Sequence, residues 1–307
     1  MTMTISLNGQ VYVVTGAGRG IGRAIAIALA AAGAAVVVND LQADIAQSTV
    51  DQIIAEGGQA APAVAAIGTA QAAALCIDTA VTEFGRMDGM VANAGVLRDA
   101  ILWKATDEDF DLVIHTHLRG AFTCGRAAAQ YFRQGGLRGA GQGGVVMLVS
   151  SVAGQRGNPG QTAYSAAKAG VAALTRTWSM ELSRSGVSVN AIVPTALTRM
   201  VATIPGLEDA VQAAERGAPI PERLRHDLGL GTAQDVAPLA VFLASEQGRE
   251  ITGQCIGIGG DRLSLWSHPQ EVALCHHAGG WSAQSIARAW TTDLAAQRQS
   301  VGIGTKT

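Results

Sequence analysis

Charge is scarce in this sequence. Only 15% of the 307 residues are Asp, Glu, Lys or Arg, against 48% hydrophobic, and the formal net charge is -2 at pH 7. A chain so poor in charge does not stay disordered, because it can bury enough apolar surface to offset its conformational entropy. Nothing basic is clustered, so no surface is set up to attract nucleic acid or an anionic membrane. Cysteine is sparse too: Cys76, Cys124, Cys255 and Cys275 lie far apart, with no C-x-x-C pair. That argues against a disulfide framework and against a zinc site, and reads as reduced thiols in a cytoplasmic protein. No metal site is expected. Long apolar runs are missing as well. The longest, residues 24–38, contains Gly33 and falls short of the roughly 20 residues that span a bilayer. The N-terminus, MTMTISLNGQ, has no basic segment followed by a cleavable apolar one, so no secretion signal is expected.

What the chain does have is alternation. VYVVT (11–15) is a short β-branched run ended by glycines, 21–32 has helical composition with a stop at Gly33, and 36–38 is a second apolar strand closed by Asn39 and Asp40. This is a β-α-β unit. The pattern continues with a helix near 45–56, a weak strand at 61–66, a helix near 70–84 and a strand at 89–92. One helix is then expected from about 107 through 132, with Thr106 and Asp109 placed to cap its start. A glycine-rich loop (135–144), a strand (145–150), a long helix (163–183) and another strand (187–193) follow. Continuous apolar strands separated by helices predict an α/β fold: a doubly wound parallel sheet of the Rossmann type, in three α/β/α layers. One domain over 1–261 accounts for this pattern. Residues 200–230, with prolines, glycines and mixed charge, read as a substrate lid, and 262–307 as a C-terminal extension with a helix near 282–296. The tail's Trp266, Trp281 and Trp290 read as packing or subunit contacts rather than a cofactor box.

Two motifs carry chemistry. TGAGRGIG (15–22) follows the first strand and opens the first helix, where glycines let the backbone approach a phosphate and the helix N-terminus supplies N–H groups. Asp40, at the end of the second strand, can bind both ribose hydroxyls and would repel a 2′-phosphate, which predicts NAD. Arg19 points the other way, since a guanidinium at this loop could bind that phosphate, leaving NADP as the alternative. The second motif is YSAAK (164–168): on a helix, Tyr164 and Lys168 share one face. An ammonium about 6 Å from the phenol oxygen, at an effective dielectric of about 20, favours phenolate by roughly 3 kcal/mol, or about two pKa units. A Tyr and a Lys on an ordinary amphipathic helix is the plain alternative.

Taken together, Gly16, Gly20 and Gly22, the NAG at 93–95, the serine in LVSSVAG (148–154) and YSAAK resemble the short-chain dehydrogenase/reductase family in order and spacing, over about residues 7–261. The resemblance implies that Tyr164 is the catalytic acid/base, that Lys168 lowers its pKa and binds the nicotinamide ribose, and that Ser151 rather than Ser150 binds the substrate oxygen. It also implies that Gly16, Arg19, Gly20, Ile21, Gly22, Asp40, Leu41, Asn93, Ala94 and Gly95 lie along the dinucleotide, and that the stretch bearing Pro194, Leu197 and Thr198 covers the nicotinamide. Two positions depart from the family pattern. His117 stands where an asparagine usually supports a water relay to the lysine, so it is either a relay or a core histidine. Near Gly68, many relatives carry an aspartate on the adenine, so adenine binding here is expected to be looser or to use backbone groups.

VVVND, NAGVLRDAILWKATDEDFDLVIHTHLRGAF, GQTAYSAAKAG, PTALTRM and the tail's GGWSAQSIARAW resemble the (3R)-hydroxyacyl-CoA dehydrogenase branch of peroxisomal multifunctional enzymes, also called 17β-hydroxysteroid dehydrogenases, and their bacterial relatives. That implies a bulky secondary alcohol, an acyl-CoA thioester or a steroid, as the small-molecule substrate, and a homodimer or homotetramer built through 107–132 and 163–183. An NADPH-dependent 3-oxoacyl reductase of fatty acid synthesis is the second reading. A non-catalytic dinucleotide-binding subunit is the third.

Overall fold

Side-chain alternation along the strands builds two apolar layers. On β1 (Val11–Val14), Tyr12 and Val14 enter one core while Val11 and Val13 enter the other, and on β2 (Ala35–Asp40) Val36 and Val38 part from Ala35 and Val37 in the same way. A strand buried on both faces must be apolar throughout, as these are. A computed structural model of the chain describes residues 5–135, 143–198 and 206–300. The interior of the expected glycine-rich loop (136–142) and residues 200–205 of the expected lid lie outside the described residues.

The remaining strands are β3 (Gln59–Val64), β4 (Gly89–Ala92), β5 (Gly144–Val149), β6 (Val187–Pro194), β7 (Cys255–Gly259) and β8 (Arg262–Trp266). They form one eight-stranded sheet in the order β3-β2-β1-β4-β5-β6-β7-β8. Every pairing is parallel except β7 with β8. The order reverses between β1 and β4, the switch point at which open α/β sheets leave a crevice beyond the strand C-termini.

The helices are α1 (Gly20–Ala31), α2 (Ala43–Ala55), α3 (Ala70–Phe84), α4 (Asp107–Val113), α5 (Gly120–Arg133), α6 (Val152–Arg156), α7 (Thr162–Glu181), α8 (Glu208–Glu215), α9 (Ala233–Ala244), α10 (Glu246–Arg249) and α11 (Ala283–Ala289). α1, α2 and α9 cover one face of the sheet, and α3, α5 and α7 the other, completing the three layers. Small residues set the close approaches: a Cβ on Gly125 of α5 would run into the Trp178 ring of α7, and one on Gly170 of α7 would lie 2.8 Å from Leu118.

Two readings change. The helix expected over 107–132 is interrupted by a π-helical stretch, Ile114–Arg119, between α4 and α5, although Thr106 caps its start as expected by accepting from the Asp109 N–H at 3.2 Å. A wide turn of this kind often accompanies a functional site, and here it carries His117. Within 200–230, the stretch expected to be a lid, α8 and a π-helical turn, Arg223–Asp227, pack a satellite cluster of Leu197, Val211 and Leu230. Residues 262–266, read as the start of the tail, form β8 and extend the sheet, so the compact units divide after Trp266. The second unit, described to residue 300, consists of α11, capped by Ser282, a π-helical stretch Trp290–Leu294 and a 3-10 turn Ala295–Gln297.

Candidate active site

The sequence-predicted dinucleotide residues gather at the C-terminal ends of β1, β2 and β4. Gly16 and Gly20 have φ of 61° and 54°, the left-handed region that glycine enters without strain. A Cβ on Gly16 would lie 2.8 Å from Ala94 Cα, and one on Gly22 would run into the Gly16 carbonyl, so both positions exclude any side chain. Asn93 props the loop from β4: its Nδ2 donates to the carbonyls of Thr15 (3.0 Å) and Gly16 (3.1 Å). Thr15 answers by accepting the N–H groups of Asn93 and Ala94 on Oγ1, at 3.0 and 3.1 Å. At the start of α1, Arg19 makes no side-chain cap and the first turn has no acid. Its N–H groups and positive dipole end therefore face the loop, which is what a pyrophosphate requires.

Asp40 is held beside this cradle. Its Oδ2 accepts from the Gly18 N–H at 3.2 Å and its Oδ1 from the Gln42 N–H at 3.2 Å. Arg19 stands on the same rim, donating to Gln42 Oε1 at 3.1 Å, while Leu41 is exposed. The loop geometry and the acid at the end of β2 thus fit an adenine dinucleotide. Gly68 sits apart from the glycine loop, at φ 132°: a side chain there would overlap the His115 ring, and Arg119 Nε donates to its carbonyl at 3.0 Å. Pro194 ends β6, the next residue, Thr195, donates to Ile258 O at 2.9 Å, and Leu197, buried, donates to Gly231 O at 2.7 Å.

Beyond β5 lies the second group. The two serines of LVSSVAG separate in role. Ser150, fully buried, donates its hydroxyl to the Lys168 carbonyl at 2.9 Å and so ties β5 to α7. Ser151 is the N-cap of α6, accepting from the Ala153 N–H at 3.2 Å, and its hydroxyl favours the ionised form of Tyr164. α6 packs close on α7: a Cβ on Gly154 would lie 2.7 Å from Lys168 Cβ. Lys168 is buried, its Nζ donates to Val149 O at 2.5 Å, and it stands 5.7 Å from the Tyr164 ring centroid. Ser151, Tyr164 and Lys168 are therefore brought together, as their order in the sequence implies.

The electrostatics correct the simple Coulomb expectation. Burial pushes the Tyr164 phenol above its ordinary value; the Ser151 hydroxyl opposes this, and the Asp99 carboxylate adds to it. Burial likewise brings the Lys168 ammonium down to about 7. The attraction reckoned from spacing alone omits the cost of removing both groups from water, and here that cost dominates.

His117 is the fourth member, its ring edge-on to Tyr164 with centroids 5.1 Å apart. Its Nε2 lies 2.6 Å from the Val96 carbonyl, and Nδ1 is buried without a partner among the described residues. Burial, then the charge of Lys168, hold its pKa down at about 3, with the Val96 carbonyl opposing, so the ring is neutral. It also fills the space beside Gly95, where a Cβ would stand 2.9 Å from Nδ1.

Sequence reasoning missed Thr15, the brace of the loop, and Asp99 with Gln161, which meet across 62 residues of chain. Asp99 stands inside VLRDA and Gln161 inside GQTAYSAAK, but nothing in their spacing pairs them. Among the described residues there is no cluster of His, Cys, Asp or Glu able to hold a metal ion, and no helix long and apolar enough to cross a membrane.

Residues 16–260 match the family model described as Enoyl-(Acyl carrier protein) reductase. The chain is 39% identical over 274 residues to the hydroxyacyl-CoA dehydrogenase ChsB1 of Mycobacterium tuberculosis, covering 87% of this chain and 83% of the relative. It is 35% identical over 255 residues to the 3-oxoacyl-[acyl-carrier-protein] reductase FabG of Thermotoga maritima, covering 83% and 98%. The crystal structure of a short chain dehydrogenase from Mycobacterium avium superimposes with a TM-score of 0.83 at 36% identity, covering 99% of this chain and 100% of that one. With the glycine cradle, the Ser-Tyr-Lys group and these relatives in agreement, the chain belongs to the short-chain dehydrogenase/reductase family of NAD(P)-dependent oxidoreductases that interconvert alcohols and ketones.

Proposed function

We propose that the protein is an NAD-dependent dehydrogenase of 3-hydroxyacyl-CoA thioesters, with Tyr164 as its acid/base. The observation that carries the chemistry is the convergence of Ser151, Tyr164 and Lys168 beside the glycine cradle. A nicotinamide dinucleotide bound there supplies the hydride acceptor for oxidation and the donor for reduction. Tyr164 Oη takes the proton of the substrate hydroxyl as the carbinol carbon gives up hydride, and returns it in reduction. The Ser151 hydroxyl holds the substrate oxygen at the phenol. Lys168, held by Val149 O, presents its ammonium to the ribose and to Tyr164.

Asp40, turned toward Gly18 on the rim of the loop, supports NAD. The hydroxyacyl thioester class is supported by the likeness to ChsB1 and by the sequence segments shared with that branch. Hydroxysteroids are the other bulky alcohols that branch suggests. The second reading, an NADPH-dependent 3-oxoacyl reductase, is favoured by Arg19, whose guanidinium stands beside Asp40 on Gln42. We place the enzyme in the cytoplasm, where the buried thiols of Cys76, Cys124 and Cys255 stay reduced. A homodimer or homotetramer through α4, α5 and α7 is supported by the exposed Phe110, Phe122 and Met180 on those helices.

Initial rates with NAD and NADP over a panel of 3-hydroxyacyl-CoA thioesters and hydroxysteroids test the proposal. Turnover with NAD on the thioesters is expected. Tyr164→Phe should keep cofactor affinity and lose at least about 100-fold in kcat, and Asp40→Ser should narrow the preference for NAD. Equal activity in Tyr164→Phe would refute the mechanism, and an unchanged cofactor ratio in Asp40→Ser would show that another group selects the cofactor.

A further inference from the structure

Asp99 lies in the loop between β4 and α4, outside the glycine cradle and the Ser151, Tyr164 and Lys168 group. Its two carboxylate oxygens accept from Gln161 Nε2 at 3.3 and 3.1 Å. Its neighbour Ala100 donates to Gly160 O at 2.9 Å and bridges Gln161 in parallel register. Gln161 Oε1 in turn accepts from Asn158 Nδ2 at 2.9 Å, so the amide is fixed from both ends. The preceding residue of the loop is anchored separately, by Arg98 Nε on Asp109 of α4 at 3.2 Å.

Gln161 is the residue from which α7 starts, and Tyr164 follows it by three positions. α7 makes no side-chain cap at Gln161 and has no acid in its first turn. A carboxylate delivered from another part of the chain therefore supplies the negative charge that the start of this helix lacks. We propose that Asp99 and Gln161 form a latch that holds the loop after β4 on the first turn of α7, making Asp99 a positioning residue for Tyr164 and the anionic counterpart of Lys168. This rests on Tyr164 being the proton carrier.

Among the described residues, the groups acting on Tyr164 are Lys168 from its own helix, His117 from the π-helical stretch, Ser151 from the N-cap of α6 and Asp99 from the latched loop. His117 is neutral and Ser151 uncharged, so Lys168 and Asp99 are the two opposed charges. The Asp99 charge disfavours phenolate and acts in the same direction as burial. It adds to burial, the larger cause, in holding the phenol above its ordinary value.

Two variants separate charge from latch. Asp99→Asn keeps an acceptor for Gln161 and removes the charge. Gln161→Glu removes the donor and sets two carboxylates against each other. In the double variant D99N/Q161E, the hydrogen bond re-forms with its polarity reversed. The chain has only three tyrosines, so Tyr164 can be titrated by tyrosinate absorbance, subtracting the same protein carrying Tyr164→Phe. With Asp99→Asn, ionisation of Tyr164 is expected at a pH lower by about half a unit or more. The acidic limb of kcat/KM for NAD with a 3-hydroxybutyryl-CoA probe is expected to follow it. Gln161→Glu is expected to raise KM for this probe several-fold, and the double variant to recover most of that loss. An unmoved titration in Asp99→Asn overturns the charge role, and a double variant no better than Gln161→Glu overturns the latch. A Tyr164→Phe protein with full activity would instead be a failure of the proposed function, distinguishable because the absorbance titration needs no turnover.

Discussion

At the scale of single residues, His117 shows how little a position in a sequence says about a group's state. The sequence leaves open whether it relays protons or fills the core. The structure gives it features of both: it is packed against Gly95 and Tyr164, yet Nδ1 has no partner among the described residues. Held down to about 3, it stays neutral in the folded protein while the unfolded chain protonates near 6.5. Below that ordinary value the unfolded state binds a proton that the folded state refuses. Stability is therefore expected to fall as pH drops from about 6.5 towards 3. His117→Asn should remove this share of the acid sensitivity, on the order of 1–3 kcal/mol between pH 7 and pH 4, as read from urea unfolding at the two values. An identical acid loss in variant and wild type would mean that other groups govern it. The Tyr164 and Lys168 pair was legible from its spacing of four, because helix geometry is local. The direction of the phenol's shift was not, because desolvation depends on what the rest of the chain packs around the pair.

Among the elements, the junction of β5, α6 and α7 carries most of the site, and two adjacent serines divide its work. Ser150 bonds the Lys168 carbonyl from inside the core, whereas Ser151 caps α6 and reaches Tyr164. Ser150→Ala leaves a buried carbonyl without this donor and is expected to cost about 1–2 kcal/mol of stability with kcat/KM near wild type. Ser151→Ala loses a cap, worth about 1 kcal/mol, and the hydroxyl at the reacting oxygen, and should lower kcat/KM by about 100-fold or more. Thermal melts beside steady-state rates check the pair, and a reversed pattern would exchange the two assignments. The sequence placed Ser151 by its distance from Tyr164, but burial alone separates it from its neighbour. The same limit explains the π-helical stretch at Ile114–Arg119. Its composition is helical and nothing local marks the extra residue in the turn, while its His117, Leu118 and Arg119 meet Gly95, Gly170 and Gly68 from distant parts of the chain.

For the whole molecule, the parallel sheet and its two helical layers were legible, because continuous apolar strands alternating with helices admit few other arrangements, whereas the strand order and the crevice at the β1/β4 switch come from the structure. β8 was not. RLSLW carries Leu263 and Leu265 exposed, and it pairs with β7 through backbone bonds that no side-chain pattern announces. The division after Trp266 has a consequence for stability. The buried members of the four apolar clusters all precede residue 267, and Trp266 itself packs against the cluster of Ala172, Ala191, Val193 and Cys255. Beyond it, α11 and its neighbours carry Trp281, Ile286 and Trp290 at least two-fifths exposed, with His277 and Trp281 in ring contact at 5.1 Å. A chain ending at Trp266 is therefore expected to keep a cooperative unfolding transition, within about 1 kcal/mol of the full chain. It should also bind NAD with similar affinity, since every residue assigned to the cradle lies within it. Chemical denaturation followed by circular dichroism, together with NAD titration, reads both. A broad, non-cooperative transition in the shortened chain would show that the sheet draws its stability from residues beyond 266. An intact fold with lost turnover would assign those residues to the reaction instead.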